Sequence, residues 1–316
     1  MSTVNNMDEF AAVSNILIAM CIGFCKLTNM LIRRKEIIDL MDMFLEEPCA
    51  TSNIEEERIQ MKYDDRVRRT TLRYTILIET SVSMTVLNSL RTNFQHGRLT
   101  YKGWIPYNYT SEILFPLTFA FQLAAVFVQS LVHGAADTLF FGVLTQIYCQ
   151  LEILLFRLND VTTNSQGTLQ RFVRHHNCIY QLAEMINRTL YLTIFSQIFG
   201  SSLLLCLSLF QLIKVDILST EFCASICYLL IMTLQSFLYC WYGNEVKLKS
   251  IDLSDMIFHS NWTMLSKDSK QILQIAMNRT RSPIELETAH VITVNIDLFV
   301  ILIKTSYSVY NLLQSS

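Results

Sequence analysis

The sequence predicts an all-α fold, a polytopic membrane helical bundle of about six spans with helical extensions outside the lipid. Of its 316 residues, 51% are hydrophobic and only 16% are charged, whereas a soluble domain usually carries about 25% charged residues. Several apolar runs approach 20 residues, which is the length that crosses a bilayer as a helix. Glycine and proline are scarce, at 8 and 4 residues, which favours helices over sandwiches or barrels.

Six segments are apolar and long enough to span a membrane. The third continues past the lipid as an amphipathic pattern to Leu158, so we expect a helix of about 45 residues and roughly 65 Å that projects into water. The segments 140–188 and 245–290 are amphipathic and charged, and both are predicted to form solvated helices. The predicted spans are residues 10–32, 74–90, 113–135, 189–213, 222–244 and 291–313.

The distribution of basic residues predicts the orientation of these spans. Arg33, Arg34 and Lys35 directly follow the first span, and most of the 25 Lys and Arg residues fall on the same side of the bundle. Basic loops remain cytoplasmic, so both termini are expected outside and the solvated helices inside. Of four Asn-x-Ser/Thr sequons, only Asn108 falls in an outer loop, and it is the predicted glycosylation site.

Other classes of function find little support in the sequence. The net charge of −2 gives no electrostatic basis for binding nucleic acid. The chain shows no nucleophile triad, phosphate loop or zinc spacing, so neither an enzyme nor a cofactor is expected. Most of the nine cysteines lie in apolar runs and are interpreted as small buried hydrophobes. The i,i+4 cysteine pairs 21/25 and 223/227 have no His or carboxylate beside them, so no metal site is predicted.

Several ionisable residues lie in or near the spans, where charge is costly and usually has a partner. Asp137 is spaced i+4 from His133, which predicts a local pair on one helix face. Lys26 is expected to extend its ammonium to the membrane surface. His175 and His176 follow Arg171 and Arg174 and are expected on a solvated helix face.

The chain resembles the insect odorant receptors. The run from Ala136 to Gly142, continued by residues 150–154, is similar to the fourth-span signature of that family. The C-terminal third carries the most specific similarity, from Trp262 through 270–279 to the closing run 299–308. Residues 103–106 also fit, and the resemblance covers nearly the whole chain, with hymenopteran members the most similar. Family members have seven spans, and the first run here matches their second, so their first span is expected to be missing.

The resemblance implies an odorant-binding subunit of a ligand-gated, non-selective cation channel that serves the sense of smell. Family subunits form tetramers, usually with a shared co-receptor subunit, in the dendritic plasma membrane of olfactory neurons. The last helix of each subunit lines the pore, the cytoplasmic helices form an anchor domain, and volatile odorants bind within the outer half of the bundle.

Candidate site residues were chosen from the outer halves of the spans and from the last helix. Apolar side chains with a few polar groups suit a volatile ligand, and hydroxyl groups with a hydrophobic ring suit a weakly selective pore. The predicted ligand-binding residues are Ser83, Met84, Leu87, Phe119, Gln122, Tyr228 and Met232. The predicted pore residues are Thr305, Ser306, Val309 and Leu313.

Three alternatives remain open at this stage. A gustatory receptor-type channel shares the architecture, although the stretches Ala136-Asp137 and 305–308 favour the odorant branch. A G-protein-coupled receptor fragment would carry Asp-Arg-Tyr and Asn-Pro-x-x-Tyr patterns, which are missing from the sequence. A transporter would show internal repeats and paired broken helices, and neither pattern is found.

Overall fold

The computed structural model describes residues 7–101, 105–109, 111–163, 166–212, 220–260, 262, 265–288 and 292–315. Within these ranges the chain forms eight α-helices, one short 3-10 turn and one two-stranded hairpin. The helices are α1 (Met7–Ile32), α2 (Arg34–Leu45), α3 (Ile54–Thr92), α4 (Leu114–Thr163), α5 (Gln166–Leu212), α6 (Thr220–His259), α7 (Lys267–Thr280) and α8 (Ile296–Ser315). The 3-10 turn is Phe94–His96, and the strands are β1 (Glu287–Thr288) and β2 (Ile292–Thr293). The all-α prediction is confirmed.

Four helices are much longer than a bilayer requires. Helix α4 has 50 residues, which confirms the long third helix expected from sequence, and α3, α5 and α6 have 39, 47 and 40 residues. The sequence suggested a solvated helix over 171–188 and a separate span over 189–213, but the structure joins 171–188 and 189–212 in one continuous helix. The four prolines explain this continuity, because positions 48, 106, 116 and 283 all lie outside helices or in a first turn.

The last helix begins five residues later than predicted, at Ile296 rather than at residue 291. Strands β1 and β2 pair antiparallel just before it, with Glu287 opposite Thr293. Asn295 then accepts a hydrogen bond from the backbone amide of Leu298 at 2.9 Å, which is the geometry of a helix N-cap. The hairpin and this cap therefore fix where α8 starts.

We name the two ends of the bundle by their connections. The outer end carries the 3-10 turn and the segment that leads to α4, and the inner end carries α2, the α2–α3 loop and α7. Helix α1 packs on α5 and α4, α3 on α4, and α8 on α5 and α6. The largest buried cluster lies toward the inner end, where α4, α5 and α6 converge, and includes Phe140, Leu151, Phe172, Ile179, Ile186, Val246 and Leu253.

Toward the outer end the helices expose large apolar side chains instead. Phe24, Phe121 and Leu230 are mostly exposed, an arrangement that is unfavourable in water and suits contact with lipid. Among the described residues, four helices are long and apolar enough to cross a membrane. They contain Val13–Ile32, Leu114–Asn159, Gly167–Leu212 and Phe222–His259. The predicted spans in α3 and α8 remain predictions.

Candidate functional site

Four helices meet at the carboxylate of Asp137 on α4, which is fully buried. Lys26 of α1 and the Tyr239 hydroxyl of α6 both donate to Oδ1, at 2.5 and 2.7 Å. The Tyr74 hydroxyl of α3 and the Gln235 amide of α6 donate to Oδ2, at 2.7 and 2.5 Å. Each carboxylate oxygen thus has two donors, from three neighbouring helices.

The ammonium of Lys26 is buried, which corrects the expectation that it reaches the membrane surface. Besides Asp137, its Nζ lies 3.3 Å from Nδ1 of His133 and 5.6 Å from the ring centroid of Tyr239. An ammonium in an apolar bundle needs such partners because desolvation is costly. The predicted pairing of Asp137 with His133 is therefore indirect, since Lys26 lies between them.

We call Asp137 with Lys26, Tyr74, Gln235 and Tyr239 the Asp137 node. Its carboxylate already has four donors, so it offers no free acceptor to a ligand. The node instead fixes the register of α1, α3, α4 and α6 against one another at a single depth. A small cavity between α3, α4 and α6 lies on the inner side of the node, beside Leu144, Tyr148 and Tyr242. A ligand pocket on the outer side of the node stays a prediction.

One face of helix α6 carries a line of side chains that runs from the outer end to the Asp137 node. Tyr228, Met232, Gln235 and Tyr239 follow spacings of 4, 3 and 4 residues and so share one helix face. Met232 is half-buried and Tyr228 is 37% exposed. The structure therefore aligns these two predicted ligand-binding residues with the node.

The three candidates on α3 do not share this alignment. Met84 and Leu87 are 71% and 61% exposed and lie on the outer surface of α3 rather than among the helices of this subunit. Ser83 is half-buried, but it follows Tyr74 by nine residues, which rotates it roughly 180° away from the Tyr74 face. A role for these three residues in ligand binding stays a prediction, and the structure places them on faces of α3 other than the face that carries Tyr74.

The two candidates on α4, Phe119 and Gln122, lie in the outer part of that helix. The Phe119 ring lies 5.1 Å from that of Phe94 and 6.0 Å from that of Phe115, centroid to centroid. The Gln122 amide donates to the carbonyl of Tyr101 at 2.9 Å and accepts from its N–H at 3.2 Å. These contacts hold the segment after α3 against the outer end of α4, and a role for Phe119 and Gln122 in ligand binding stays a prediction.

One face of helix α8 packs against its own subunit, and the opposite face is exposed. Leu298, Leu302 and Ser306 are buried and recur every four residues, and Ser306 is only 1% exposed. Its hydroxyl donates to the carbonyl of Leu302 at 2.8 Å. Thr305 is exposed and Val309 half-buried, whereas the side chain of Leu313 lies outside the described residues. The structure thus separates Ser306 from Thr305, since Ser306 faces the interior of its own subunit.

The predicted glycosylation site lies at the outer end. Asn108 is exposed in the segment between α3 and α4. Its accessibility fits the prediction, and the last residue of the sequon, Thr110, lies outside the described residues.

A second buried polar cluster lies at the inner end, around Arg157 of α4. The guanidinium donates to both carboxylate oxygens of Glu56, at 2.9 and 2.8 Å. It also donates to the carbonyls of Pro48 and Ala50, at 2.6 and 2.8 Å. The α2–α3 loop is therefore held to α4 by a single side chain. We call this group, together with His175, the Arg157 cluster.

The expectation that His175 and His176 form a solvated face is wrong, because both are buried. Nδ1 of His175 accepts from Arg157 at 3.1 Å, and Nε2 donates to Gln150 at 2.8 Å. Burial and the adjacent Arg157 charge lower the pKa of His175 to about 3, so the ring is neutral. For Glu56, burial alone would raise the pKa, but hydrogen bonds from Arg157 and Ser52 outweigh it and keep the pKa low.

Sequence reasoning identified Asp137 but missed the partners that give it a role. One signal was available: Lys26 and Asp137 are opposite charges within apolar runs, and such residues usually pair. Nothing comparable marked Tyr74, Tyr239 or Gln235, which are ordinary residues of helices far apart in sequence.

Comparison with known proteins agrees with this architecture. The 7tm odorant receptor family model matches residues 6–307. Odorant receptor 46a, isoform A, of Drosophila melanogaster is 25% identical over 99% of this chain and 84% of its own length. Odorant receptor Or1 of Anopheles gambiae is 23% identical over 69% of this chain and 60% of its own length.

A solved structure shares the fold. The olfactory receptor OR5 from Machilis hrabei, determined in complex with eugenol, superposes with a TM-score of 0.90 at 16% identity. The match covers 99% of this chain and 84% of that one. With the family model covering nearly all of the sequence, the chain belongs to the insect odorant receptor family. Members of this family are odorant receptors.

Proposed function

We propose that this chain is the odorant-binding subunit of a ligand-gated, non-selective cation channel in the plasma membrane of olfactory neuron dendrites. Its ligand is a small volatile molecule, and it acts together with a shared co-receptor subunit. The observation that carries the proposal is the arrangement of α1, α3, α4 and α6 around the Asp137 node. On the outer side of the node, a ligand between these helices would contact mostly apolar side chains, with the polar groups of the node at one end, which suits a ligand with few hydrogen-bonding groups.

Within this space, the face of α6 that carries Met232 and Tyr228 contacts the odorant. Met232 lies one turn outward of Gln235, which donates to the node. A methionine adapts its shape to different apolar ligands at low cost. The OR5 structure was determined with eugenol, a precedent in the same fold for a small aromatic ligand.

The exposed face of α8 is proposed to line the pore, and exposed apolar residues at the inner end are proposed to contact other subunits. Helix α8 turns Leu298, Leu302 and Ser306 toward its own subunit, which leaves Thr305 for the central pathway. Exposed apolar side chains at the inner end, including Leu248, Phe258 and Ile275, are too large to leave in water. We propose that they contact neighbouring subunits in an anchor domain.

The test is co-expression of this chain with the co-receptor in a heterologous cell, with cation current recorded across a panel of volatile odorants. Current that requires this chain and persists when G-protein signalling is blocked is the expected result. A response that disappears with G-protein blockade would refute the channel proposal. A response to soluble tastants and not to volatiles would favour the gustatory alternative.

A matched pair of substitutions tests the position of the pocket. Met232→Ala removes a half-buried side chain beside the node, whereas Met84→Ala removes the same side chain from the exposed face of α3. Losing about 1 kcal/mol of ligand contact raises the odorant concentration for half-maximal current roughly fivefold. We expect this shift for Met232→Ala and less than about twofold for Met84→Ala. The reverse order would place the pocket on the outer face of α3.

A further inference from the structure

Two cysteine thiols lie in contact at the inner end of the bundle. Sγ of Cys49, in the α2–α3 loop, is 3.3 Å from Sγ of Cys178 on α5. A disulfide requires the sulfur atoms to approach to about 2.05 Å, so closure needs a movement of little more than 1 Å. The two residues are 129 positions apart in sequence, so only the fold brings them together.

The Arg157 cluster holds Cys49 in this position. Arg157 donates to the carbonyls of Pro48 and Ala50, the residues on either side of Cys49. Cys178 follows His175, the other partner of Arg157, by one turn of α5. The loop and the helix are therefore held to the same guanidinium, which keeps the backbone segments that carry the two thiols close together.

We propose that Cys49 and Cys178 form an oxidation site that intracellular peroxide converts reversibly into a disulfide. Both residues lie outside the proposed spans, on the side proposed to be cytoplasmic, where free thiols are normally kept reduced. Cytosolic disulfides are usually transient and redox-sensing. This site is independent of the odorant pocket, which lies on the outer side of the Asp137 node.

The two thiols have different roles in the reaction. The hydrogen bond between the two thiols lowers the pKa of Cys178 below its usual value, and the thiolate is the nucleophile in thiol oxidation. The Cys178 thiolate attacks one oxygen of hydrogen peroxide, giving a sulfenic acid and hydroxide. The Cys49 sulfur then attacks the sulfenic sulfur and displaces a second hydroxide. Two protons, one from each thiol, convert the hydroxides to water, so two thiols and one peroxide yield one disulfide and two waters.

The experiment uses the full chain purified in lipid nanodiscs and exposed to hydrogen peroxide. Remaining thiols are alkylated, and the unreduced digest is analysed by mass spectrometry. We expect the alkylated Cys49 and Cys178 peptides to be lost together, with gain of one cross-linked peptide that a thiol reductant reverses. Cys149→Ser is the matched control, because Cys149 is equally buried at the inner end but contacts Gln60 instead of sulfur. It should leave the cross-link unchanged.

Replacement of Cys49 tests the order of events. In Cys49→Ser the cross-link should disappear, and Cys178 should instead be trapped as a sulfenic acid by dimedone. Cys49→Ala also removes the hydrogen bond that lowers the pKa of Cys178, so it should abolish the cross-link and give a weaker dimedone signal than Cys49→Ser. The proposal is overturned if both cysteines of the wild type remain alkylatable after peroxide has oxidised the exposed Cys223. An equal yield of cross-link in denatured protein would also overturn it.

Discussion

Because Lys26 and Asp137 form a buried ion pair, we expect the stability losses of their single substitutions not to add in the double variant. In Asp137→Leu, Lys26 loses its counter-ion and retains His133 as a hydrogen-bond partner. Removing one member of a buried pair costs about 3–5 kcal/mol, because the charge left behind is uncompensated. Lys26→Met is expected to be milder, since Asp137 keeps its hydrogen bonds from Tyr74, Tyr239 and Gln235.

The double variant Lys26→Met/Asp137→Leu should therefore be more stable than Asp137→Leu alone. Removing the unpaired ammonium recovers about 3 kcal/mol, which for a chain of this size corresponds to roughly 6 °C in melting temperature. The assay is thermal unfolding of detergent-solubilised protein, followed by fluorescence-detected gel filtration. Thr138→Val is the control, because its hydroxyl bonds to the backbone of its own helix and the change should cost less than about 1 kcal/mol.

A melting temperature that stays unchanged or falls further when Lys26→Met is added to Asp137→Leu would refute this prediction. Either result would mean that Lys26 is not held as a charge by Asp137. Equal losses for the two single variants would likewise contradict the asymmetry expected from the other three donors.

Three further predictions concern separate parts of the chain. An ideal Cβ on Gly243 of α6 would lie 2.3 Å from the carbonyl oxygen of Val294, so Gly243→Ala should displace the linker to α8, cost about 1–3 kcal/mol and reduce odorant-evoked current. Gly134→Ala has nothing within 4 Å and should be neutral by both measurements. The pKa of His175 is lowered to about 3, so the folded state keeps the ring neutral while the unfolded state binds a proton below about pH 6.5. The free energy of unfolding therefore falls by up to about 1.4 kcal/mol for each pH unit below that value. His175→Gln should flatten the melting temperature between pH 7 and 5, and an unchanged slope would contradict neutral burial. Asn108→Gln should abolish a glycosidase-sensitive shift in gel mobility, whereas Asn187→Gln should leave that shift intact.

The helices and the family could be predicted from the sequence because both depend on local patterns. Apolar runs near 20 residues, scarce glycine and proline, and the run from Ala136 to Gly142 all lie in continuous stretches of chain. The 50-residue α4 was anticipated for the same reason, since its amphipathic pattern continues beyond the lipid without a breaker.

The choice of facing side chains could not be predicted in the same way. Ser83, Met84 and Leu87 lie on the outer half of α3, but only the contact of Tyr74 with Asp137 reveals which face of that helix points inward. A rotation of one residue changes the direction of a helical side chain by about 100°, and the apolar sequence of a span does not record whether it meets lipid or another helix.

The sequence by itself determined an all-α membrane protein of the odorant receptor family. It also showed that the charge of Asp137, which lies in an apolar run, needs a partner. Only the tertiary structure decided that Lys26 compensates it and that His175 is buried beside Arg157. It also decided that Cys49 meets Cys178. Each of these contacts joins residues far apart in the chain, and each depends on the packing register of whole helices. That register is set by many weak contacts at once and has no local signature.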